Sequence, residues 1–328
     1  MAAIRGAQAR PVRLLAAGGT ISMQGEHAVP ALDAAQLVAA IPALRAYPGL
    51  VAENVLSLPS SQLSPAQALS LAQDAAASAR AGAGTVITTG TDTLEELAML
   101  CSLIHGGEAP IVITGANRPA SAPGADGTAN LLDAVAVAAG EAAAGLGVIV
   151  VFGGEIHAGT SARKIDSTGP AAFGSPIAGP IGRVVEGRVW LHARPLRPAT
   201  VSPRALTHRV GIVTAALGDD GDILRAVAAA SDGLVVEGFG AGHLTPGMLA
   251  ALRDASPAVP IVVTCRPERG SMLHFTYGFE GSERDVRASG AICAPFLSPV
   301  AARIALMCCL GAELDGDGIA SVLAAWDA

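Results

Sequence analysis

The chain has 328 residues, 51% hydrophobic, 15% charged and only 3% aromatic, with a formal net charge of -7. That length suits two domains. The acidic balance, with no arginine run, disfavours nucleic-acid partners and anionic membrane surfaces. No uninterrupted apolar stretch reaches the ~18 residues a membrane helix needs.

Taken in chain order, short apolar runs alternate with alanine-rich helical patterns. Arginines at Arg5, Arg10 and Arg13 interrupt the region where a signal peptide would carry its apolar run, so a cytoplasmic protein is expected. A buried strand is expected from Val12 to Ala17, then a helix capped by Asp33 and running toward Ile41. A second strand from Val51 to Leu58 precedes Ser64-Pro65, a helix start with serine as cap and proline in the first turn. Thr85 to Thr88 reads as the third strand. A helix follows with Leu94, Leu97, Leu100 and Ile104 on one face, and Thr93 with Glu96 predicts a capping box at its start. A strand from Ile111 to Thr114, a helix from about Asn130 to Ala144 and a strand from Val148 to Phe152 complete the series.

The proline-rich stretch "PLRPATVSPRALTH" lacks a core pattern and reads as a linker. Beyond it the alternation restarts, with strands at Val210 to Thr214, Leu234 to Glu237 and Ile261 to Thr264, and helix starts after Asp222, at Thr245-Pro246 and at Ser298-Pro299. The expected fold class is therefore α/β. A larger N-terminal domain with a mostly parallel sheet (1–194) is joined by a linker (195–209) to a smaller C-terminal α/β domain (210–328). The five cysteines are irregularly spaced and show no metal-ligand pattern, which predicts buried thiols and no metal site. The Asp/Gly clusters at 219–222 and 315–318 lack the other ligands of a calcium loop and read as solvated turns. Neither GxGxxG nor GxxxxGK[ST] occurs, so no nucleotide cofactor is expected.

In parallel α/β sheets, ligands bind beyond the carboxyl ends of the strands. After the first strand come Gly18, Gly19, Thr20, Ile21 and Ser22. After the second come Pro59, Ser60, Ser61 and Gln62, and after the third Gly90, Thr91, Asp92 and Thr93. Each turn alone is ordinary; together they offer hydroxyls backed by glycines and one aspartate. A hydroxyl is a poor nucleophile at neutral pH and needs a base in reach. Of 21 Lys+Arg residues only Lys164, in "SARKIDST", is a lysine. Lysine can give up its proton when desolvated or set beside another cation, whereas arginine cannot. Threonine, lysine and aspartate could then do the work of a serine-histidine-aspartate set.

The stretches "LLAAGGTIS" and "VITTGTDTLEELAML" resemble the two signatures of the asparaginase/glutaminase family of bacterial-type L-asparaginases. "IVITGANRPASAPGADGTANLLDAV" and "SARKIDST" are similar to further segments of that family. The resemblance implies hydrolysis of the side-chain amide of L-asparagine, or of L-glutamine, without a cofactor. It implies Thr20 as primary nucleophile, with Thr91, Asp92 and Lys164 as the second catalytic group. Ser60 would hold the substrate α-carboxylate and Asp92 its α-ammonium, with Gly19, Ser61, Gly90 and Ala116 also lining the substrate. Backbone N–H groups near Gly90 and Thr114 to Ala116 would meet the oxyanion.

Departures from the family pattern are specific. His27 falls where a loop tyrosine usually orients the threonine, Ser61 where glutamine is usual and His243 where asparagine is usual. Glu280 or Glu283 is the candidate acid for a neighbouring subunit's site. The family forms dimers or dimers of dimers, so a homodimer or homotetramer is expected, with a small molecule as the other partner. The rival readings are another side-chain amide hydrolase, a weakened amino-acid-binding regulatory homologue, and an amidotransferase subunit, which would need additional RNA-binding sequence.

Overall fold

The computed structural model describes residues 10–24, 29–30, 32–45, 47 and 49–327. The chain divides into two compact units, Met1–Thr200 and Val201–Ala328. Both are α/β, as expected. The carboxyl half of the linker stretch falls inside the second unit.

In the first unit the strands of the main sheet are β1 (Val12–Gly18), β2 (Leu50–Leu58), β3 (Gly84–Thr88), β4 (Ile111–Thr114), β5 (Val148–Phe152), β6 (Glu155–Ala158), β7 (Gly182–Val185) and β8 (Arg188–Leu191). Among the described residues they form one eight-stranded sheet in the order β8-β7-β6-β5-β4-β3-β1-β2. From β2 to β5 every pairing is parallel. Strands β6, β7 and β8 add antiparallel pairings that the apolar-run pattern did not reveal. The reason is physical: β7 and β8 alternate exposed and half-buried residues in short runs joined by Glu186 and Gly187, both at positive φ. Arg188 lies over the exposed ring of Trp190 on the last strand.

Helices α1 (Ala34–Ala39), α2 (Pro65–Arg80), α3 (Leu94–Ile104) and α4 (Gly127–Ala139) cover the sheet. Their starts follow from local chemistry. Asp33 and Ser64 each accept from the backbone N–H three residues on, and Gln36 and Gln67 reach back to the cap N–H. Leu14, Val86, Val112 and Ile149 bury one sheet face against Leu131, Ala134 and Val135 of α4. Strands β3, β4 and β5 are buried throughout, as expected for parallel strands covered on both faces. Each fully buried leucine or isoleucine contributes about 1.5–3 kcal/mol relative to exposure.

In the second unit, β9 (Val210–Thr214), β10 (Gly233–Gly238), β11 (Ile261–Cys265) and β12 (Ile292–Cys293) form a parallel sheet in chain order. Helices α5 (Asp222–Ala229), α6 (Pro246–Ala255), α7 (Glu283–Arg287), α8 (Pro299–Gly311) and α9 (Gly316–Leu323) accompany it. Two corrections belong here. The cluster at 315–318 is not a bare turn: Asp315 caps α9, accepting from the Gly318 N–H at 2.9 Å. Helix α4 begins at Gly127 and ends at Ala139, because Gly140 leaves the helix in an extended conformation. Trp326 lies half-buried in a final 3-10 turn.

All five cysteines are buried and free. Among the described residues, no cluster of three or more His, Cys, Asp or Glu could hold a metal ion, and no helix is long and apolar enough to cross a membrane.

Candidate active site

The order β2-β1-β3 makes β1 a switch point, where successive crossovers diverge and open a crevice at the carboxyl ends. Four turns meet around it: residues 18–22, 59–62, 89–93 and 115–118. The first is held tightly. Gly18 and Gly19 have φ of 92° and 81°, a region where a side chain is strained. The Gly19 N–H donates to Leu58 O at 3.0 Å, and a Cβ on Gly19 would overlap the backbone of Gly90. Thr20, half-buried, opens the 3-10 turn Thr20–Ser22; the Ser22 hydroxyl donates back to Gly19 O at 2.8 Å.

Ser60 is buried directly behind this contact. Its Oγ accepts from the Asp92 N–H at 3.2 Å, and its carbonyl accepts from the Thr93 hydroxyl at 3.1 Å. The capping box expected from Thr93 and Glu96 is absent, because the Thr93 hydroxyl is turned to Ser60 and makes no cap bond. Ser61, one residue on, is exposed.

Lys164 arrives from the other side. Arg163 and Lys164 pair antiparallel with Gly174 and Phe173, and the Phe173 ring packs on Phe152 of β5 with centroids 5.0 Å apart. The Lys164 ammonium donates to Thr91 Oγ1 at 2.9 Å and to Asp92 Oδ1 at 2.8 Å. The amine is mostly shielded, with 21% of its side chain accessible, whereas Asp92 faces solvent. Glu95, in the first turn of α3, accepts weakly from the Lys164 N–H at 3.4 Å. Burial pushes its carboxyl up; Arg163 and the Lys164 N–H act in the opposite sense.

The turn after β4 holds Ala116, fully buried. The next two backbone N–H groups, of Asn117 and Arg118, both donate to the Asp126 carboxylate. Asn117 Nδ2 donates to Gly169 O at 2.8 Å, tying this turn to the loop that follows Lys164.

The structure therefore brings Gly19, Ser60, Gly90, Thr91, Asp92 and Lys164 into one connected cluster, with Thr20 continuing directly from Gly19. His27 lies outside the described residues. Three further candidates sit in the second unit. His243 Nε2 lies 3.1 Å from Glu283 Oε2, its ring edge-on to Tyr277 and Phe279. Glu283 is fully buried and accepts from the N–H groups of Thr276 and Tyr277, both at 2.8 Å. Glu280 is exposed. His157, the histidine nearest the lysine in sequence, is buried in β6 with Nδ1 3.1 Å from Ser175 Oγ. Burial pushes its pKa down, against the pull of Glu155.

Chemically, the cluster offers two hydroxyls on adjoining turns, one amine bonded to the second, and a carboxylate exposed beside it. The amine is held at the distance needed to take a proton from Thr91 once it has lost its own. Sequence reading missed Thr93, Glu95 and Asp126 as parts of this assembly. The only signal for Asp126 was the Asp-Gly pair ahead of a helix.

Two family models match: the N-terminal asparaginase domain over residues 11–197 and the glutaminase/asparaginase C-terminal domain over residues 209–323. The chain belongs to the asparaginase/glutaminase family. It is 35% identical over 303 residues to a probable L-asparaginase of Deinococcus radiodurans, covering 90% of this chain and 91% of that one. It is 31% identical over 324 residues to L-asparaginase 2 of Escherichia coli, covering 95% and 92%. Among solved structures, a probable cytoplasmic L-asparaginase from Campylobacter jejuni superposes with a TM-score of 0.86 at 28% identity, covering 96% of this chain and 99% of that one.

Proposed function

We propose that the protein is an L-asparaginase, hydrolysing the side-chain amide of L-asparagine to L-aspartate and ammonia. The observation that carries this reading is the Lys164 amine, bonded to both Thr91 Oγ1 and Asp92 Oδ1 beside the Gly19–Gly90 contact. Asp92, exposed and anionic, anchors the substrate α-ammonium, and Ser60 anchors its α-carboxylate. The amide carbon then faces Thr20.

In the first half-reaction a Thr20 Oγ–carbon bond forms and the carbonyl oxygen takes up negative charge. The backbone N–H groups of the Gly90 and Gly115–Ala116 turns stabilise that charge. The C–N bond breaks, and ammonia leaves with the proton that Thr20 Oγ gave up, relayed through Thr91 and Lys164. In the second, water adds to the acyl carbon, the Thr20 Oγ–carbon bond breaks, and the proton that water gives up is relayed by the same pair back to Thr20 Oγ as L-aspartate leaves. Direct attack by water is the rival route; an intact-mass increase on Thr20 during turnover decides for the covalent one.

The reading extends to a cytoplasmic homo-oligomer. Support comes from the family resemblance and from an exposed aromatic patch, Phe275, Tyr277 and Phe279, beside the His243–Glu283 pair. Light scattering tests it, a monomer being the contrary outcome.

The experiment for the activity is ammonia release from L-asparagine and L-glutamine by the wild-type protein beside Thr20→Ala and Thr91→Val. Turnover of either amide, lost in both variants, supports the amidohydrolase reading. Binding without turnover of either would replace it with a regulatory one. One methylene is worth only ~1–3 kcal/mol of discrimination, so the ratio of the two substrates is itself a result.

A further inference from the structure

Gly127 opens helix α4, a position where helix propensity alone favours alanine. Its neighbours show why no side chain stands there. A Cβ on Gly127 would lie 2.8 Å from Ile21 Cγ1 and 3.2 Å from Ala116 Cβ. Ile21, 4% exposed, follows Thr20 directly and reaches its seat on the helix start because position 127 is empty. Beside Ile21 is a small cavity of about 70 Å³, also lined by Leu32, Leu37, Ile41 and Leu131. Crowding at 127 therefore falls on Ile21, which is joined directly to Thr20, and the cavity lets it yield without opening the core.

Asp126 precedes it at the helix N-cap, where an aspartate usually accepts from the helix's own N–H groups. It makes no such bond. Its carboxylate instead accepts from Asn117 N at 3.1 and 3.0 Å, from Arg118 N at 2.9 Å and from Asn130 Nδ2 at 3.2 Å. Asn130, one helical turn on, also donates to Gly115 O at 3.0 Å and accepts from the Gly153 N–H at 3.0 Å. The turn carrying Ala116 is therefore pinned to the same helix start that seats Ile21.

We propose that Asp126 and Gly127 form a positioning dipeptide that sets the Thr20 turn and the Gly115–Arg118 turn in register through one helix start. The inference rests on the amidohydrolase reading for the roles of Thr20 and Ala116, but not for the placement itself. Each acts through another residue, Asp126 through Asn117 and Arg118 and Gly127 through Ile21.

The test combines steady-state kinetics on L-asparagine with amide hydrogen exchange, on wild type, Gly127→Ala, Ile21→Ala, the double variant and Asp126→Asn. Gly127→Ala is expected to lower kcat ~10-fold or more with KM changed less than ~3-fold, and to speed exchange of the Ser22 amide. In the Ile21→Ala background the same exchange at 127 is expected to cost less than ~3-fold, because the colliding atom is gone. Asp126→Asn is expected to speed exchange at Asn117 and Arg118. Unchanged Ser22 exchange in Gly127→Ala, or an equal loss with and without Ile21, overturns the proposal. If wild type releases no ammonia, the amidohydrolase reading fails, and the exchange rates still decide the positioning.

Discussion

The Lys164 amine bridges two consecutive residues of one turn, lying 2.9 Å from Thr91 Oγ1 and 2.8 Å from Asp92 Oδ1. The carboxylate orients the amine, and the hydroxyl is the group it can relieve of a proton. Lys164→Arg keeps the charge and removes the proton transfer, since guanidinium does not deprotonate. Ammonia release is expected to fall by ~100-fold or more with an unchanged circular dichroism spectrum. Full activity in that variant refutes the role of the lysine.

The Thr93 hydroxyl supports Ser60 rather than its own helix. Thr93→Val removes one hydrogen bond worth about 1 kcal/mol and frees the turn that presents Ser60. The expected result is a several-fold rise in KM for L-asparagine with a lesser change in kcat, and Thr93→Ser is expected to restore the wild-type KM. A lower melting temperature with unchanged KM would return Thr93 to a purely structural part.

Burial raises the carboxyl of Asp133, on α4, to about 6. Between its ordinary value of 3.8 and about 6 the folded protein binds a proton that the unfolded chain has released. Stability is therefore withdrawn as pH rises through that window. Asp133→Asn is expected to raise the melting temperature at pH 8 and to change it little at pH 3.5. Equal shifts at both values, or no shift at pH 8, contradict the assignment.

Burial by itself would push the Glu283 carboxyl up. The N–H groups of Tyr277, of Glu283 itself and of Thr276, with His243, outweigh it and leave it below the usual carboxylate range. Its contribution is present above the unfolded value and lost as acidification passes the folded one. Glu283→Ala, which removes the Oε1 acceptor that both N–H groups share, is expected to speed amide exchange at Thr276 and Tyr277. Glu280→Gln, at an exposed carboxyl, should leave both unchanged.

Local chemistry explains which parts were legible in the sequence. Ser64-Pro65, Thr245-Pro246 and Ser298-Pro299 declare helix starts because cap and first turn lie within three residues. The buried strands declare themselves because they are covered on both faces. Strands β7 and β8 do not, since one face of each meets solvent and their runs are four residues long. The same distinction holds at the site. Thr20, Ser60, Thr91 and Asp92 stand directly after strands, so chain order alone gathers them. Lys164 was singled out by composition, not by periodicity. The Thr93–Ser60 bond connects segments 33 residues apart, and the Asp126 carboxylate turns back to Asn117 and Arg118 instead of capping its own helix; the first was misread because Thr93 and Glu96 have the spacing of a cap. No local pattern distinguishes a threonine that bonds its own helix from one that bonds another turn.

The chain's two tryptophans fall one in each unit, Trp190 on the outermost strand of the first and Trp326 near the end of the second. Indole emission is thus a pair of separate gauges. A Trp190→Phe chain reports only the melting of the C-terminal unit, and a Trp326→Phe chain only that of the N-terminal one. Comparing their denaturant midpoints would reveal whether the two halves come apart together or in sequence.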